Sequence, residues 1–280
     1  MVTRRDYRAE AVQAAKSVVI EIFHLLREYS GDVVFVGGWI PGLMLSGAER
    51  AHIGSMDVDL ALNHRKLQDE GYRRIRRLML DRGYEQGKQP YIFLRRIQVG
   101  DGSLTVEVDL LAGEYGGTGK RRRHQRIQVE TLARKARGCD LAFEINPMEM
   151  LVEGVLPGGG KDSATVRLAS VVTFLVMKGM ALDARLKEKD AWDMDFVLQN
   201  YPGGLEALVL ELRPHVGHAL VREGLQKIGK AFSSTSGVGP TFVADFDEIE
   251  DREERRRVQR SAYERVDYLL RMLGVRGGEP

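Results

Sequence analysis

The stretch "VFVGGWI", residues 34–40, places two glycines directly after an apolar run, and "MDVDLAL", residues 56–62, follows after a short loop. Val33 to Val36 is a β-branched and aromatic run of the kind that forms a buried strand. Gly37 and Gly38 end this strand, and glycines at such a point let backbone N–H groups approach phosphates because no side chain intervenes. The two stretches therefore predict a strand, a turn suited to phosphate and a second strand.

Acidic residues recur with the period of a β-strand in two places. In "MDVDLAL" apolar residues alternate with Asp57 and Asp59, and in "VEVDLL", residues 106–111, they alternate with Glu107 and Asp109. Within each strand the acids therefore share one face. If the two strands are neighbours in a sheet, we expect these carboxylates to converge.

Three converging carboxylates, those of Asp57, Asp59 and Asp109, repel one another unless they bind metal or share protons. Hard oxygen ligands favour Mg²⁺, and a pair of such ions would activate an attacking oxygen and neutralise a leaving phosphate. The acids therefore predict a site with two Mg²⁺ ions that catalyses nucleotidyl transfer. Glu107 lies on the same face and is an alternative to Asp109.

A D-x-D pair has other uses as well. It also occurs on exposed strand edges, as a calcium ligand pair, and as the metal motif of glycosyltransferases that use sugar nucleotides. The nearby glycines and the later acid favour the nucleotidyl-transfer interpretation, because three separate pieces then fit one geometry.

Composition limits the class of protein. The chain has 280 residues, 43% of them hydrophobic, which suffices for a real core and predicts two domains. The 42 basic residues nearly balance the 40 acidic ones, so a nucleic-acid partner would have to be met by a local patch. Cys139 is the only cysteine, and neither a signal segment nor a membrane-spanning run is recognised. We therefore expect a cytoplasmic protein without a membrane association.

The order of predicted elements gives an α+β fold. A helix is expected over residues 6–29, followed by a small mixed β-sheet, and the chain beyond Ala169 has mostly helical patterns. An extended piece is predicted at residues 241–246. The predicted domains are residues 1–167, which contain the sheet, and residues 168–280, a helical C-terminal domain.

Cationic residues recur in the helical part. Lys178, Arg185 and Lys189 are spaced by seven and four, so on one continuous helix they would line one side and could face a triphosphate. A solvated helix face is the alternative for the same residues.

A basic run, "KRRRHQR", covers residues 120–126 and suits an RNA or DNA acceptor, because clustered cations follow a phosphate backbone. A solvated loop explains the run equally well. Three other motifs are given structural interpretations. They are "PGGGKDS" at residues 157–163 as a hairpin turn, His215 with His218 as surface histidines, and "DREERRRVQR" from Asp251 as a solvated helix.

Taken together, "GGW…GSMDVDLAL", "VEVDLL" and "VMKGMALDARLKEKDAWDMDFVL" resemble the AbiEii family of bacterial nucleotidyltransferases over most of residues 33–198. This family belongs to the polymerase-beta-like nucleotidyltransferase superfamily, so the resemblance implies that the sheet is a nucleotidyltransferase core. It implies that Asp57 and Asp59 hold the metals. It further implies that Asp109 completes the site and helps to deprotonate the acceptor hydroxyl.

The resemblance also suggests residues that bind the substrate. Ser55 stands at the small hydroxyl position that commonly precedes the D-x-D pair, and a lysine and a downstream acid of the family fall on Lys178 and Asp190. The family pattern R-x-K-x-K-D is met by Arg185, Lys187, Lys189 and Asp190. Lys187 and Asp190 would point elsewhere on an ideal helix, and a break near Asp183 would change this.

The biological role of this protein is suggested by the resemblance alone. Many relatives are toxins of bacterial toxin–antitoxin systems, which implies an antitoxin partner, and some modify transfer RNA ends. A nucleoside triphosphate is the implied substrate. RNA is a candidate acceptor that would be held by Lys120, Arg121, Arg122 and Arg123. Two alternatives stay open: an enzyme with a small-molecule acceptor, as in aminoglycoside-modifying relatives, and a non-catalytic module of the same fold that binds nucleotide or RNA.

Overall fold

A computed structural model describes residues 2–67, 69–113, 124–126 and 132–276 of the chain. The chain divides into two compact units. The sheet unit comprises Tyr7–Leu43 and Gly54–Ser170, and the helical unit comprises Met1–Asp6, Met44–Ile53 and Val171–Pro280. The predicted domain boundary near Arg167 stays a prediction, because compactness does not establish which segments fold independently.

The sheet unit contains a mixed sheet and a few helices. In chain order its elements are α1 (Ala9–Leu25), β1 (Val33–Val36), β2 (Asp57–Leu62), α2 (Asp69–Asp81), β3 (Glu85–Gln86), β4 (Ile92–Val99), β5 (Gly102–Ala112), β6 (His124–Arg126), β7 (Leu132–Lys135), α3 (Leu141–Glu144), β8 (Met148–Val155) and β9 (Lys161–Leu168). The strand order is β3-β4-β5-β2-β1-β9-β8, and β7 pairs with β5 and β6.

Both pairing directions occur in this sheet. β2 is parallel to β5 and β1 is parallel to β9, whereas β1–β2, β4–β5 and β8–β9 are antiparallel. Tight glycine-containing turns at residues 100–102 and 157–160 connect the last two pairs, as their turn chemistry predicts. α1 packs on the sheet through a buried apolar side, and the ring of Phe23 stacks on that of Phe35 at 5.1 Å between centroids.

The stretch "VFVGGWI", residues 34–40, leads into a short helical element. A 3₁₀ turn covers Gly37–Trp39, and a five-residue α-helix, Ile40–Met44, follows it directly. Pro41 lies in the first turn of this helix, where its missing N–H costs no intrahelical hydrogen bond. The glycine pair is therefore followed directly by a short helix.

The helical unit is built from helices that pack pairwise. They are α4 (Val171–Arg185), α5 (Glu188–Asn200), α6 (Gly204–Leu212), α7 (Ala219–Ala231), α8 (Val238–Phe246) and α9 (Arg252–Met272). α4 packs closely on α7, where a Cβ atom added to Gly179 would lie 2.6 Å from the carbonyl oxygen of Gly224. Only glycine allows the two backbones to approach this closely.

Two expectations about the helical unit are wrong. Residues 241–246 were expected to be extended because of Thr241 and Val243, but they belong to α8. Lys178 and Lys189 do not share one continuous helix, because α4 ends at Arg185 and α5 begins at Glu188. The break contains Leu186 in the left-handed region, with φ of +50°.

The fold class is confirmed: a mixed sheet with helices and a mainly helical C-terminal part. His218 caps α7 by accepting a hydrogen bond from the N–H of Leu220 at 3.2 Å, and α9 carries the charge-dense segment that begins at Asp251. Within the described ranges, no helix combines the length and the apolar character that crossing a membrane requires.

Candidate active site

The acids of the two sequence motifs meet on one face of the sheet. β2 and β5 are parallel neighbours whose register places Asp57 beside Glu107 and Asp59 beside Asp109. Side chains paired in this way point to the same face, so the carboxylates form a block two strands wide. Asp57 is exposed, Asp59 is intermediate and Asp109 is 6% exposed. The predicted convergence of Asp59 and Asp109 therefore follows from strand pairing alone.

The glycine turn lies directly beside this block. Gly37 has φ of +78°, in the left-handed region, and a Cβ atom added to it would lie 2.1 Å from Oδ2 of Asp59. Glycine is therefore required at this position both by the backbone and by the neighbouring carboxylate. Gly38 lies in the same 3₁₀ turn and is buried.

A tryptophan side chain forms a hydrogen bond between the stretches at residues 34–40 and 56–62. Nε1 of Trp39 donates a hydrogen bond to the backbone carbonyl of Asp57 at 2.9 Å. Ser55, which is 8% exposed, lies two residues before this strand begins. The residue after the glycine pair thus fixes the start of the D-x-D strand, a role that sequence reasoning did not assign to it.

An arginine lies against two of the acids. Nη2 of Arg134, on β7, is 2.8 Å from Oδ2 of Asp109 and 3.7 Å from Oδ1 of Asp59. The parallel pairing of Arg134 with Leu111 puts it on the face that carries both carboxylates. Sequence reasoning missed this residue, because "LARK" has no feature that separates it from an ordinary surface strand.

The donor set fits a hard divalent cation in its chemistry, since carboxylate oxygens from neighbouring strands already attract a guanidinium. In the part of the chain that the structure describes, no group of three His, Cys, Asp or Glu side chains is arranged to hold a metal ion. Two Mg²⁺ ions at Asp57, Asp59 and Asp109 stay a prediction.

The other predicted site residues belong to the helical unit, where they form a buried charge cluster. Nζ of Lys178 lies 2.7 Å from Oδ1 of Asp190 and 2.6 Å from Oδ2 of Asp193. Nζ of Lys189 lies 2.6 Å from Oδ1 of Asp193. All four side chains are almost fully buried. The structure thus brings together Lys178, Lys189 and Asp190, and it adds Asp193.

The break between α4 and α5 makes this convergence possible. A change of direction after Arg185 lets Asp190, near the start of α5, face back toward Lys178 on α4. Arg185 forms hydrogen bonds to both carboxylate oxygens of Asp190, with Nε at 2.8 Å and Nη2 at 2.9 Å. On a straight helix Asp190 would have pointed away, so the prediction of an uninterrupted cationic face fails for a local backbone reason.

Electrostatics separate the two lysines of the cluster. Burial opposes the charge on Lys178, but Asp190 and Asp193 outweigh it and raise the pKa of this amine. Burial lowers the pKa of Lys189, which has Asp193 as its close partner and Lys178 as a repelling neighbour. Despite its own burial, the pKa of Asp193 is far below its usual range because both lysines stabilise the carboxylate. Asp193 is therefore the anion that both amines share.

His52 completes this cluster. Its Nε2 lies 3.0 Å from Oδ1 of Asp193, and its ring is 5.0 Å from that of Trp192 and 4.8 Å from that of Phe196. Burial lowers the pKa of His52 in spite of the adjacent carboxylate. Neither His52 nor Asp193 was selected from the sequence, although the spacing of Lys189 and Asp193 by four residues in "KDAWD" is a detectable helical ion-pair signal.

Only the end of the basic run proposed to hold RNA, His124–Arg126, is described, and it forms β6. Lys120, Arg121, Arg122 and Arg123 are not among the described residues.

No family model matches the sequence, and no curated protein matches it. The crystal structure of JHP933 from Helicobacter pylori is similar with 14% identity, 95% coverage of this chain, 94% of that chain and a TM-score of 0.44. A protein from H. pylori described as a "putative nucleotidyltransferase" has 13% identity, coverages of 92% and 97%, and a TM-score of 0.39. Similarity at this level assigns no activity to the chain.

Proposed function

We propose that this chain is a metal-dependent nucleotidyltransferase, which moves a nucleoside monophosphate from a nucleoside triphosphate to an acceptor hydroxyl. The observation that carries the proposal is the pairing of Asp59 with Asp109 across β2 and β5, with the turn at Gly37 packed against Asp59. Carboxylates bind the cations that accompany a triphosphate, and a glycine turn admits its phosphates. Both features lie in one unit, on adjacent strands.

The proposed reaction is an in-line displacement. The acceptor oxygen attacks the α-phosphorus, the bond from that phosphorus to the bridging oxygen breaks, and pyrophosphate leaves with the electron pair. The proton of the acceptor hydroxyl passes to a carboxylate, for which Asp109 is proposed. Asp57, Asp59 and Asp109 would hold two Mg²⁺ ions, and these ions would neutralise the charge that develops on the leaving group.

Other residues are proposed to bind the nucleotide. Gly37, Gly38 and Ser55 would contact its phosphates, a role supported by the left-handed turn at Gly37 and by the position of Ser55 just before β2. Lys178, Lys189 and Asp190 are proposed as further substrate-binding residues on the strength of the AbiEii resemblance. Their side chains are buried, with Lys178 paired with Asp190 and Lys189 paired with Asp193, so contact with a nucleotide would require these ion pairs to open.

Membership of the AbiEii family is part of this proposal and rests on the sequence motifs. A toxin role, an antitoxin partner and a cytoplasmic location are proposed on the same resemblance. An RNA acceptor is proposed because "KRRRHQR" supplies clustered cations.

The test is to incubate the purified protein with total RNA, Mg²⁺ and each α-labelled nucleoside triphosphate in turn. We expect label in an RNA band and release of pyrophosphate. Asp57→Asn should abolish both, because it removes a proposed metal ligand from an exposed position where folding does not depend on it. Asp101→Asn is the matched control, since Asp101 is an exposed acid in the β4–β5 turn of the same unit and should leave labelling unchanged.

Each outcome has a distinct meaning. If pyrophosphate is released in an Asp57-dependent way while RNA stays unlabelled, this result would support the nucleotidyltransferase activity but reject RNA as the acceptor. Protein or small-molecule acceptors would then be tested. No turnover of any nucleotide, combined with thermal stabilisation by nucleotide, would reject the enzyme in favour of a nucleotide-binding module. Turnover that Asp57→Asn leaves intact would reject the proposed site.

A further inference from the structure

The contact between Arg134 and the paired acids has a consequence for cation binding. Nη2 of Arg134 lies 2.8 Å from Asp109 and 3.7 Å from Asp59, and its side chain is 37% exposed. The contact follows from the strand register, because β7 runs parallel to β5 and sets Arg134 on the carboxylate face. A guanidinium is thus already positioned against the oxygens that the proposed function assigns to metal.

Charge explains why the arginine lies there. Asp59 and Asp109 are register partners on neighbouring strands, so their ionised carboxylates repel each other across a short distance. A guanidinium is planar, always charged and offers several N–H donors, which suits it to two carboxylates at once. A divalent cation would relieve the same repulsion by binding the same oxygens. Arg134 and the cation are therefore alternatives for one pair of anions.

We infer that Arg134 is a built-in counter-ion that competes with divalent cations for Asp59 and Asp109, and that it gives way when nucleotide and cation bind together. This inference rests on the proposed function, which makes the pair a metal site. A triphosphate offers the displaced guanidinium new anionic oxygens, and arginine binds phosphate as readily as carboxylate. The cation alone offers it none. Nucleotide should therefore strengthen cation binding in the unmodified protein.

The test measures Mn²⁺ affinity by titration calorimetry, with and without a non-hydrolysable nucleoside triphosphate analogue. In Arg134→Gln, Mn²⁺ alone should bind about tenfold more tightly than to the unmodified protein, because a charged hydrogen-bonding competitor is gone. The gain in Mn²⁺ affinity caused by the analogue should be smaller in the variant. Arg134→Lys keeps the charge but loses the fork, so its Mn²⁺ affinity should fall between the two.

The control is Arg96→Gln. Arg96 is an exposed arginine on β4 of the same unit, paired with Glu85 at 3.4 Å, and its removal should leave Mn²⁺ affinity unchanged. The Arg96→Gln variant controls for the loss of one positive charge from the protein. Circular dichroism and the thermal midpoint of each variant verify that the compared proteins are folded.

The results separate the inference from the proposed function. If the unmodified protein releases pyrophosphate in an Asp57-dependent way but Arg134→Gln binds Mn²⁺ with the same or lower affinity, the inference alone is overturned. If neither protein binds Mn²⁺ or turns over nucleotide, the proposed function and the inference fall together. If Arg96→Gln also binds Mn²⁺ more tightly by the same factor, the change in net charge explains the effect, and the inference is overturned.

Discussion

Two clusters of charged side chains, one in each unit, are built from similar residues and differ in their surroundings. In the sheet unit, Asp59 and Asp109 lie on adjacent strands with Arg134 against them, and two of these three side chains are partly exposed. In the helical unit, Lys178 and Asp193 are buried with their neighbours, and their charged atoms are in contact at 2.6 Å. The first cluster is open to exchange of its cation, and the second is closed.

The difference in burial determines whether a charged side chain contributes mainly to stability or remains accessible to cations. A buried charge that loses its partner is left uncompensated where water cannot solvate it, so removing one member of a buried ion pair strongly destabilises the fold. A partly exposed carboxylate keeps access to solvent and to incoming cations, so removing it changes the free energy of unfolding little. Stability should therefore depend on the helical-unit cluster, whereas cation chemistry should depend on the sheet-unit acids.

The sharpest way to break this comparison is a matched pair of Asp→Asn variants. Asp193→Asn should lower the free energy of unfolding by about 3 to 5 kcal/mol, because two buried amines lose their shared anion. Asp59→Asn should change it by less than about 1 kcal/mol, since the carboxylate is partly exposed and its removal also relieves repulsion with Asp109. Urea denaturation followed by circular dichroism measures both.

Equal losses in the two variants would contradict the distinction between an exchangeable and a closed cluster. A stable Asp193→Asn protein would show that the buried amines are neutral or find other anions. Asp59→Asn serves at the same time as a test of the proposed reaction, because it should abolish pyrophosphate release while the protein stays folded.

A smaller effect is expected from Gly37→Ala. The new Cβ atom would collide with the carboxylate of Asp59 and would force a left-handed backbone on alanine, at a cost of about 1 to 3 kcal/mol. The displaced carboxylate should also weaken cation binding, which calorimetry detects. Gly158→Ala is the control, because a Cβ atom there meets nothing within 4 Å, and its stability should remain within about 0.5 kcal/mol. A Gly37→Ala protein as stable as this control would refute the required close approach.

The smallest effect concerns pH and tests the closed cluster. Burial lowers the pKa of His52 in the folded protein, so below the ordinary histidine pKa of about 6.5 the unfolded chain binds more protons than the folded one. Stability should therefore fall as the pH drops below about 6.5, by at most about 1.4 kcal/mol per pH unit from this group. His52→Gln should reduce this slope between pH 7.5 and 5. An unchanged slope would show that His52 titrates equally in both states.

Periodicity explains which parts of the site could be predicted. The alternation around Asp59 and Asp109 indicates both strands and the face on which each acid lies. The pairing of β2 with β5 is a tertiary contact that the alternation does not predict. The glycine pair correctly indicated the end of β1, whereas the close approach of Gly37 to the carboxylate of Asp59 was not predicted. Local rules therefore sufficed where the chemistry follows the strand period.

Tertiary contacts explain what was missed. "DARLKEKD" consists mostly of helix-forming residues, so nothing local predicts the left-handed Leu186 that separates α4 from α5. Thr241 and Val243 favour strands, yet they lie in α8, where packing against α5 and α9 decides the conformation. Arg134 was missed because its contact with the two acids depends on a partner strand that its own neighbours in sequence do not reveal.

The parallel pairing of β2 with β5 has a consequence for the growing chain. A ribosome releases β2 first, and α2 and the strands of the β4–β5 hairpin must follow before β5 can dock beside it. Non-local parallel pairing forms slowly, because a long loop has to close before any contact compensates for its lost entropy. A nascent chain that ends before Asp109 thus carries the first two acids without the third. The proposed metal site is therefore incomplete until β5 has been synthesised and has paired with β2.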